Sequence, residues 1–534
     1  MRRSSTGTFG AEWQRIARRR ALMSRELPNH IFRILGIGML AGLSLTLGCQ
    51  GSTSVPAGTG GAGGAGGEGG AGGEGGAGGQ GGAGGQGDAG GAPETCDSQR
   101  GDHDDACPAD APCAITLDVE VTCTGYDFAA GGVRAVPAAG ATYLVTSSNA
   151  PTRLFELDDE GATQRDFDAQ STTVSVALSP DGRAYAAMDE TDGGPNSYPG
   201  GVVFLPLAGS ATEKQMVFDR DDKYVPVLDV AMDSRGEPHI WILTDAPEII
   251  EHATRTSGGA WDVAPASRLA DSGWPRFVLA PDDAPLSFGM VQAGSDSWQL
   301  QVLDGAAKRS LGAPVPSGSP VRYEPIPPPK PAGQATIPRF AAVVQHPDGL
   351  RLESAGEGDG VDEVTIPGTA TPSYSCQRGF GDPALPDCPA DCHEVTSGLE
   401  WSAFAAARTS DGDVWIAFLI SHIDWTIAYE VQDIDLQPTC VGNIAADESR
   451  GELRLVRVPA VGGAPEVAVT LPLPAIAGES HFIDVYQRHP LVDVSAFGTE
   501  LTVAMRTQAS RLGPFTARVL RIDTSLLAPA APGD

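Results

Sequence analysis

The stretch Leu228-Asp-Val-Ala-Met-Asp-Ser-Arg-Gly236-Glu-Pro-His-Ile-Trp-Ile-Leu243 decides the fold. Two apolar runs rich in β-formers flank a short polar segment ending in Gly, the pattern of two antiparallel strands and a tight turn. Gly suits the turn because it enters left-handed backbone conformations without a Cβ clash. Val174-Ser-Val-Ala-Leu-Ser-Pro-Asp-Gly182-Arg-Ala-Tyr-Ala-Ala-Met188 repeats the unit. Variant copies surround Gly140, Asp283, Gly349, Gly412 and Gly498. Long helical periodicity is scarce, so the chain reads as all-β.

The first turn positions are spaced by 42, 54 and 47 residues, close to the blade period of a β-propeller. The later spacings, 66, 63 and 86, exceed it and call for loop insertions, assigned to 309–334, 370–395 and 430–450. Seven blades are expected over residues 124–525, with six or eight as alternatives and a pair of β-sandwiches as the competing all-β architecture. Residues 228–261, ending Glu248-Ile-Ile-Glu-His-Ala-Thr-Arg-Thr-Ser-Gly-Gly-Ala-Trp261, resemble known propeller repeats.

The amino-terminal region carries an address. Residues 1–48 contain eight Arg and two acids, and the uncharged run Ile34–Leu47 is too short for an ordinary membrane span. It fits the core of a signal peptide. The ending Leu45-Thr-Leu-Gly-Cys49 resembles the lipobox of bacterial lipoproteins, with Thr46 where Leu is usual. That resemblance implies lipid on Cys49 and a membrane as partner, at the outer membrane or cell surface. Without lipid the chain is a secreted protein. Met23 offers a second start.

Residues 49–92 are a tether. From Gly58 to Gly91 the chain is nearly all Gly, Ala, Glu and Gln, with no side chain able to build a core. A flexible coil of that length reaches roughly 30 Å. Residues 34–92 together resemble myxobacterial surface lipoproteins. Residues 93–123 form a Cys- and Asp-rich collar, and 526–534 a disordered tail.

Apart from Cys49, the eight cysteines fall into two clusters: Cys96, Cys107, Cys113, Cys123 and Cys376, Cys388, Cys392, Cys440. An even count in an exported chain reads as disulfides, two per cluster, with the pairing open. Zinc at Cys388, Cys392 and His393 competes. Calcium at Asp102, Asp104 and Asp105 is weaker, since the run lacks the ligand spacing of a calcium loop. No resident cofactor or metal is expected. From Cys49 onward 28 basic and 66 acidic residues leave a net charge of −38, which repels nucleic acid.

No P-loop, His-Glu-x-x-His, nucleophile elbow or dinucleotide fingerprint is present. Ser410-Asp-Gly-Asp-Val-Trp415 has the Gly-x-x-Trp half of a sialidase repeat but no Asp two places before Gly. Arg339, Arg408 and Arg506 are the candidates for gripping a carboxylate. Asp229, Asp484 and Asp493 enter or lie in apolar strand context, where Asp caps turns or bonds backbone amides between blades, and where a ring of them near the central channel could bind a cation. His239 reads as structural and His422 is uncommitted.

The expected protein is a lipid-anchored monomer whose propeller binds an extracellular protein, peptide or glycan, more a binder than an enzyme. The alternative is a hydrolase or lyase acting on polysaccharide or peptide. A deep polar channel with convergent Arg, His or carboxylates favours the enzyme; a broad aromatic face favours the binder.

Overall fold

The computed structural model describes residues 96–527 apart from short connecting stretches, the longer ones being 124–131, 192–198, 329–338, 381–387 and 474–490. Cys49, the signal segment and the tether lie outside the described residues, as does Asp484. Among the described residues no helix is long and apolar enough to cross a membrane.

The fold is all-β and propeller-like. Seven antiparallel sheets follow one another along the chain, five of them four-stranded. Each begins with an innermost strand: Gly132–Ala138, Val174–Leu178, Val227–Met232, Arg276–Leu279, Tyr323–Pro325, Cys392–Arg408 and Val492–Phe497. Each innermost strand contacts the next, and the last contacts the first.

Hydrophobic burial explains this arrangement. Seven apolar clusters are each filled from two neighbouring sheets. The middle strands are therefore covered on both faces, and all seven residues of Phe340–His346 are buried. Two-sided burial is why such segments read as unbroken apolar runs instead of alternating ones.

All seven expected turn positions take positive φ, including Asp283 at 64°, where it accepts hydrogen bonds from the backbone N–H and hydroxyl of Ser234 in the preceding turn. Six of the turns join an innermost strand to its neighbour. The one at Gly349 joins Phe340–His346 to Gly349–Ala355, one hairpin further out. The innermost strand of that sheet is the three-residue Tyr323–Pro325, inside the Pro-rich segment assigned to an insertion.

The Cys-bearing segments also differ from expectation. Cys392–Arg408 and Val414–Ile434 are long strands that run past the sixth sheet, and Gln437–Asp447 pairs with the overshoot to make a ribbon. The segment at 430–450 is thus largely strand. The structure pairs the cysteines as Cys96–Cys123, Cys107–Cys113, Cys376–Cys392 and Cys388–Cys440.

The seventh sheet joins both ends of the described chain. Ile115–Cys123, in the segment read as collar, pairs with Phe515–Asp523, and Cys96–Arg100 adds the edge. Asp118 and Arg518 meet across this seam at 2.6 Å, with side chains 0% and 4% exposed. Asp118→Ala leaves the buried Arg518 with only Glu120 at 3.4 Å as counter-charge and is expected to cost about 3 kcal/mol, the lower end of the range for breaking a buried pair, read from the urea-unfolding midpoint. A loss below about 1 kcal/mol, the scale of a surface pair, would show that the seam does not depend on the pair.

Candidate functional site

The seven innermost strands surround a channel of about 500 Å³. An innermost strand has no further strand on its channel side, so part of its backbone N–H row needs other acceptors. Neighbouring sheets supply them. Ser175 Oγ accepts the Val230 N–H at 3.2 Å, Asp229 Oδ2 the Phe277 N–H at 2.8 Å, and Asp493 Oδ2 the Ala135 N–H at 3.2 Å. Asp229 and Asp493 therefore bond amides between sheets, one of the roles expected of them.

Their remaining oxygens hold cations. Asp229 Oδ1 accepts from Arg276 Nε at 2.9 Å, and Arg276 forks onto Glu324 at 2.9 and 3.2 Å. Asp493 Oδ1 accepts from Arg134 at 2.7 Å. Burial pushes the Asp229 carboxyl up. The same burial opposes the Arg276 charge, yet Asp229 and Glu324 outweigh it and hold that guanidinium above its ordinary value. Asp229 accepts from both a guanidinium and an N–H, the geometry of an ionised carboxylate, so the cluster is charged throughout.

Arg408 differs. Its Nε and Nη1 are buried without a hydrogen-bond partner, and burial with no compensating charge pulls its pKa down to about 10. It lines the channel at the last position of its strand. Arg339 and Arg506, expected to converge with it, do not line the channel. Arg339 lies 3.2 Å from Asp304, and Arg506 is buried in Glu500–Gln508. The three-arginine grip is thus reduced to one residue. Its isolation was not readable from sequence, because that depends on which carboxylates the other strands bring near.

Other polar groups lie outside the channel. His422 Nδ1 is 3.0 Å from Ser397 Oγ, and its Nε2 is 3.4 Å from Glu452. The order is that of a nucleophile, base and acid, but Ser397 is on an exposed strand surface without the water exclusion that sharpens such a base. The zinc reading of Cys388, Cys392 and His393 fails: both sulfurs are in disulfides, and His393 bonds Asp424 at 2.7 Å. Of the calcium candidates, Asp104 and Asp105 lie outside the described residues. The expectation of no metal is qualified by two His-containing clusters, His103 with Cys107 and Cys113, and His346 with Glu353 and Glu363.

No family model matches the chain, and no curated protein does. Among solved structures it is similar to a catalytically inactive virginiamycin B lyase from Staphylococcus aureus, at 10% identity over 80% of this chain and 99% of that one, with a TM-score of 0.36. An oligogalacturonate lyase in complex with manganese gives 11% over 82% and 98%, with a TM-score of 0.39. A puromycin hydrolase gives 14% over 75% of this chain and 59% of that one, with a TM-score of 0.37. These likenesses concern the fold alone.

The expectation leaning away from an enzyme is corrected. The described residues include a His/Glu cluster with metal-ligand character. Three arginines and three carboxylates also converge on the channel, in a lining that is otherwise mainly apolar, so the convergent-residue part of the criterion for an enzyme is met.

His239, in the third sheet, has the packed role expected of it. Its Nδ1 is 3.0 Å from His252 Nε2, and the His252 ring stacks on Trp241 with centroids 4.9 Å apart. Burial, then His239, pulls the His252 pKa from 6.5 to about 4. The unfolded state therefore binds the extra proton between those values, so this part of the stability is complete above pH 6.5 and lost as pH falls towards 4. The His252 ring resonances are expected to titrate near pH 4, and His252→Phe to flatten the stability slope over that window. A midpoint near 6.5 would contradict the burial argument.

Proposed function

We propose that the chain is an exported enzyme held at the cell envelope, a hydrolase or lyase that acts on a polysaccharide or peptide and takes an anionic group of its substrate into the channel. Arg408 carries this reading. A guanidinium buried without a counter-charge costs several kcal/mol, and the fold has no need of it. The corresponding end-of-strand positions hold Leu178, Met232 and Leu279, which also line the channel. A substrate carboxylate in the channel would supply the missing counter-charge. Asp229, Glu324 and Asp493 line the same space but are held by Arg276 and Arg134, so they orient and shape the site.

The seven sheets are read as seven blades closed into one ring. Cys49 is read as the lipid-bearing first residue of the mature chain, and 49–92 as the tether of a monomer at the outer membrane or cell surface. The resemblance of residues 34–92 to myxobacterial surface lipoproteins and the paired cysteines support this reading.

Acidic and neutral polysaccharides and peptides, followed by the appearance of new chain ends, are expected to give turnover confined to carboxylate-bearing substrates. Arg408→Met should lower kcat/KM roughly 10²–10³-fold, the scale of losing one preorganised electrostatic contact, with the melting temperature raised, since the uncompensated charge is removed. Binding without turnover on every substrate, or turnover indifferent to Arg408→Met, rejects the proposal. For the anchor, the intact mass of detergent-extracted protein should show acylated Cys49 at the start, and Cys49→Ala should abolish that species. A lipid-free product cut elsewhere would make the protein secreted.

A further inference from the structure

We propose that His346, Glu353 and Glu363 bind one divalent transition-metal ion, zinc by their donor set, where the fourth sheet packs against the fifth. The three side chains come from adjacent strands, Phe340–His346, Gly349–Ala355 and Val361–Thr365. His346 Nε2 lies 2.8 Å from Glu353 Oε1, and one donor atom from each residue falls within 4.8 Å of the others. Zinc–nitrogen and zinc–oxygen bonds of about 2.0–2.2 Å place tetrahedral ligand atoms about 3.4 Å apart, so small rotations suffice to close the shell. Imidazole with two carboxylates suits zinc, and solvent can complete the fourth position beside the partly exposed Glu363.

Three independent features mark the cluster as built around something more than its own contacts. Glu353 is 1% exposed, and its Oε2 is buried with no hydrogen-bond partner. The fourth sheet makes room for that carboxylate: Gly312 has φ +59°, and a Cβ there would lie about 1.9–2.3 Å from the Glu353 carboxylate atoms. Finally, Glu353 and Glu363 stand directly opposite each other in register, a like-charge cross-strand pair that is unfavourable by itself.

The charges agree with a dication. Arg351 bridges Glu363 and Asp348, so three carboxylates gather around one guanidinium beside the His346 ring, and the carboxylates outnumber the arginine. Arg351 occupies Glu363 Oε1, and the carboxylate has a second oxygen for the ion. The His103 cluster offers no such site, because Cys107 and Cys113 are bonded to each other. The proposed ion would join three strands of the fifth sheet beside Gly312 of the fourth and uses none of the channel residues, so it stands apart from the proposed activity.

The test is calorimetric titration of chelator-stripped, full-length protein with zinc chloride, with bound metal counted after equilibrium dialysis. One equivalent is expected, with a raised melting temperature and an absorption-edge spectrum of a nitrogen/oxygen shell containing one imidazole. Glu353→Gln and the partly exposed Glu363→Gln should each weaken binding at least tenfold. The second keeps the test decisive if the buried variant folds poorly. Zinc uptake unchanged in Glu363→Gln, a sulfur-containing shell, or the absence of a tight equivalent in the parent protein would overturn the assignment. Calcium bound at these residues in preference to zinc would overturn it too.

Discussion

The seam between Ile115–Cys123 and Phe515–Asp523 is the constraint on which the remaining sheets depend. No sheet has a core of its own, since every large apolar cluster is filled from two neighbours. Opening the seam would therefore expose one face of the first sheet as well as the seventh. The buried Asp118–Arg518 pair adds what an apolar pair would not, a penalty for error. A one-residue slip turns Asp118 to the other face of the strand and leaves two buried charges unpaired. His103, bonded to Asp118 at 3.1 Å, and the Arg518 bond to the Asp102 carbonyl tie the preceding segment to the same point.

The same difficulty of satisfying an edge recurs at the channel and explains what remains there for chemistry. Ser175, Asp229 and Asp493 accept inner-strand N–H groups, and the two carboxylates then need Arg276 and Arg134 beside them. Most of the channel charge is thus committed to holding sheets together. Arg408 stands outside that scheme, in a position that sister strands fill with apolar side chains. In so acidic a chain, choosing a site by counting carboxylates was bound to fail; the informative residue is the cation that lacks one.

Much of the fold was legible because its turns obey a local rule. A tight turn with a left-handed residue demands Gly, or Asp at one position, and every such position foreseen has positive φ. Phase was less legible. A three-residue innermost strand, Tyr323–Pro325, carries too little pattern to be seen inside a Pro-rich run, and this displaced the fifth copy by one hairpin. At the site, the inter-sheet role of Asp229 and Asp493 followed from their apolar strand context. His346, Glu353 and Glu363 could not be foreseen, because register brings them together across three strands and Gly312 of another sheet completes their surroundings.

The ribbon of the sixth sheet connects the fold with the proposed address. Its strands continue beyond the rest of the sheet, where the described residues supply only a small buried apolar group around them, Cys376, Ile423, Trp425, Ile427, Cys440 and Val441. A projecting ribbon with so little core is marginal in water. Cys376–Cys392 and Cys388–Cys440 close loops spanning 16 and 52 residues around it, restricting the unfolded chain where packing contributes least. Glu394 fastens the same loop by accepting from the N–H groups of Ser375 and Cys376 at 2.6 and 2.7 Å. Such bridges persist in an oxidising compartment. The other two bridges, Cys96–Cys123 and Cys107–Cys113, serve the outer edge of the seventh sheet and the segment beside it, so all four act where the shared apolar interfaces end.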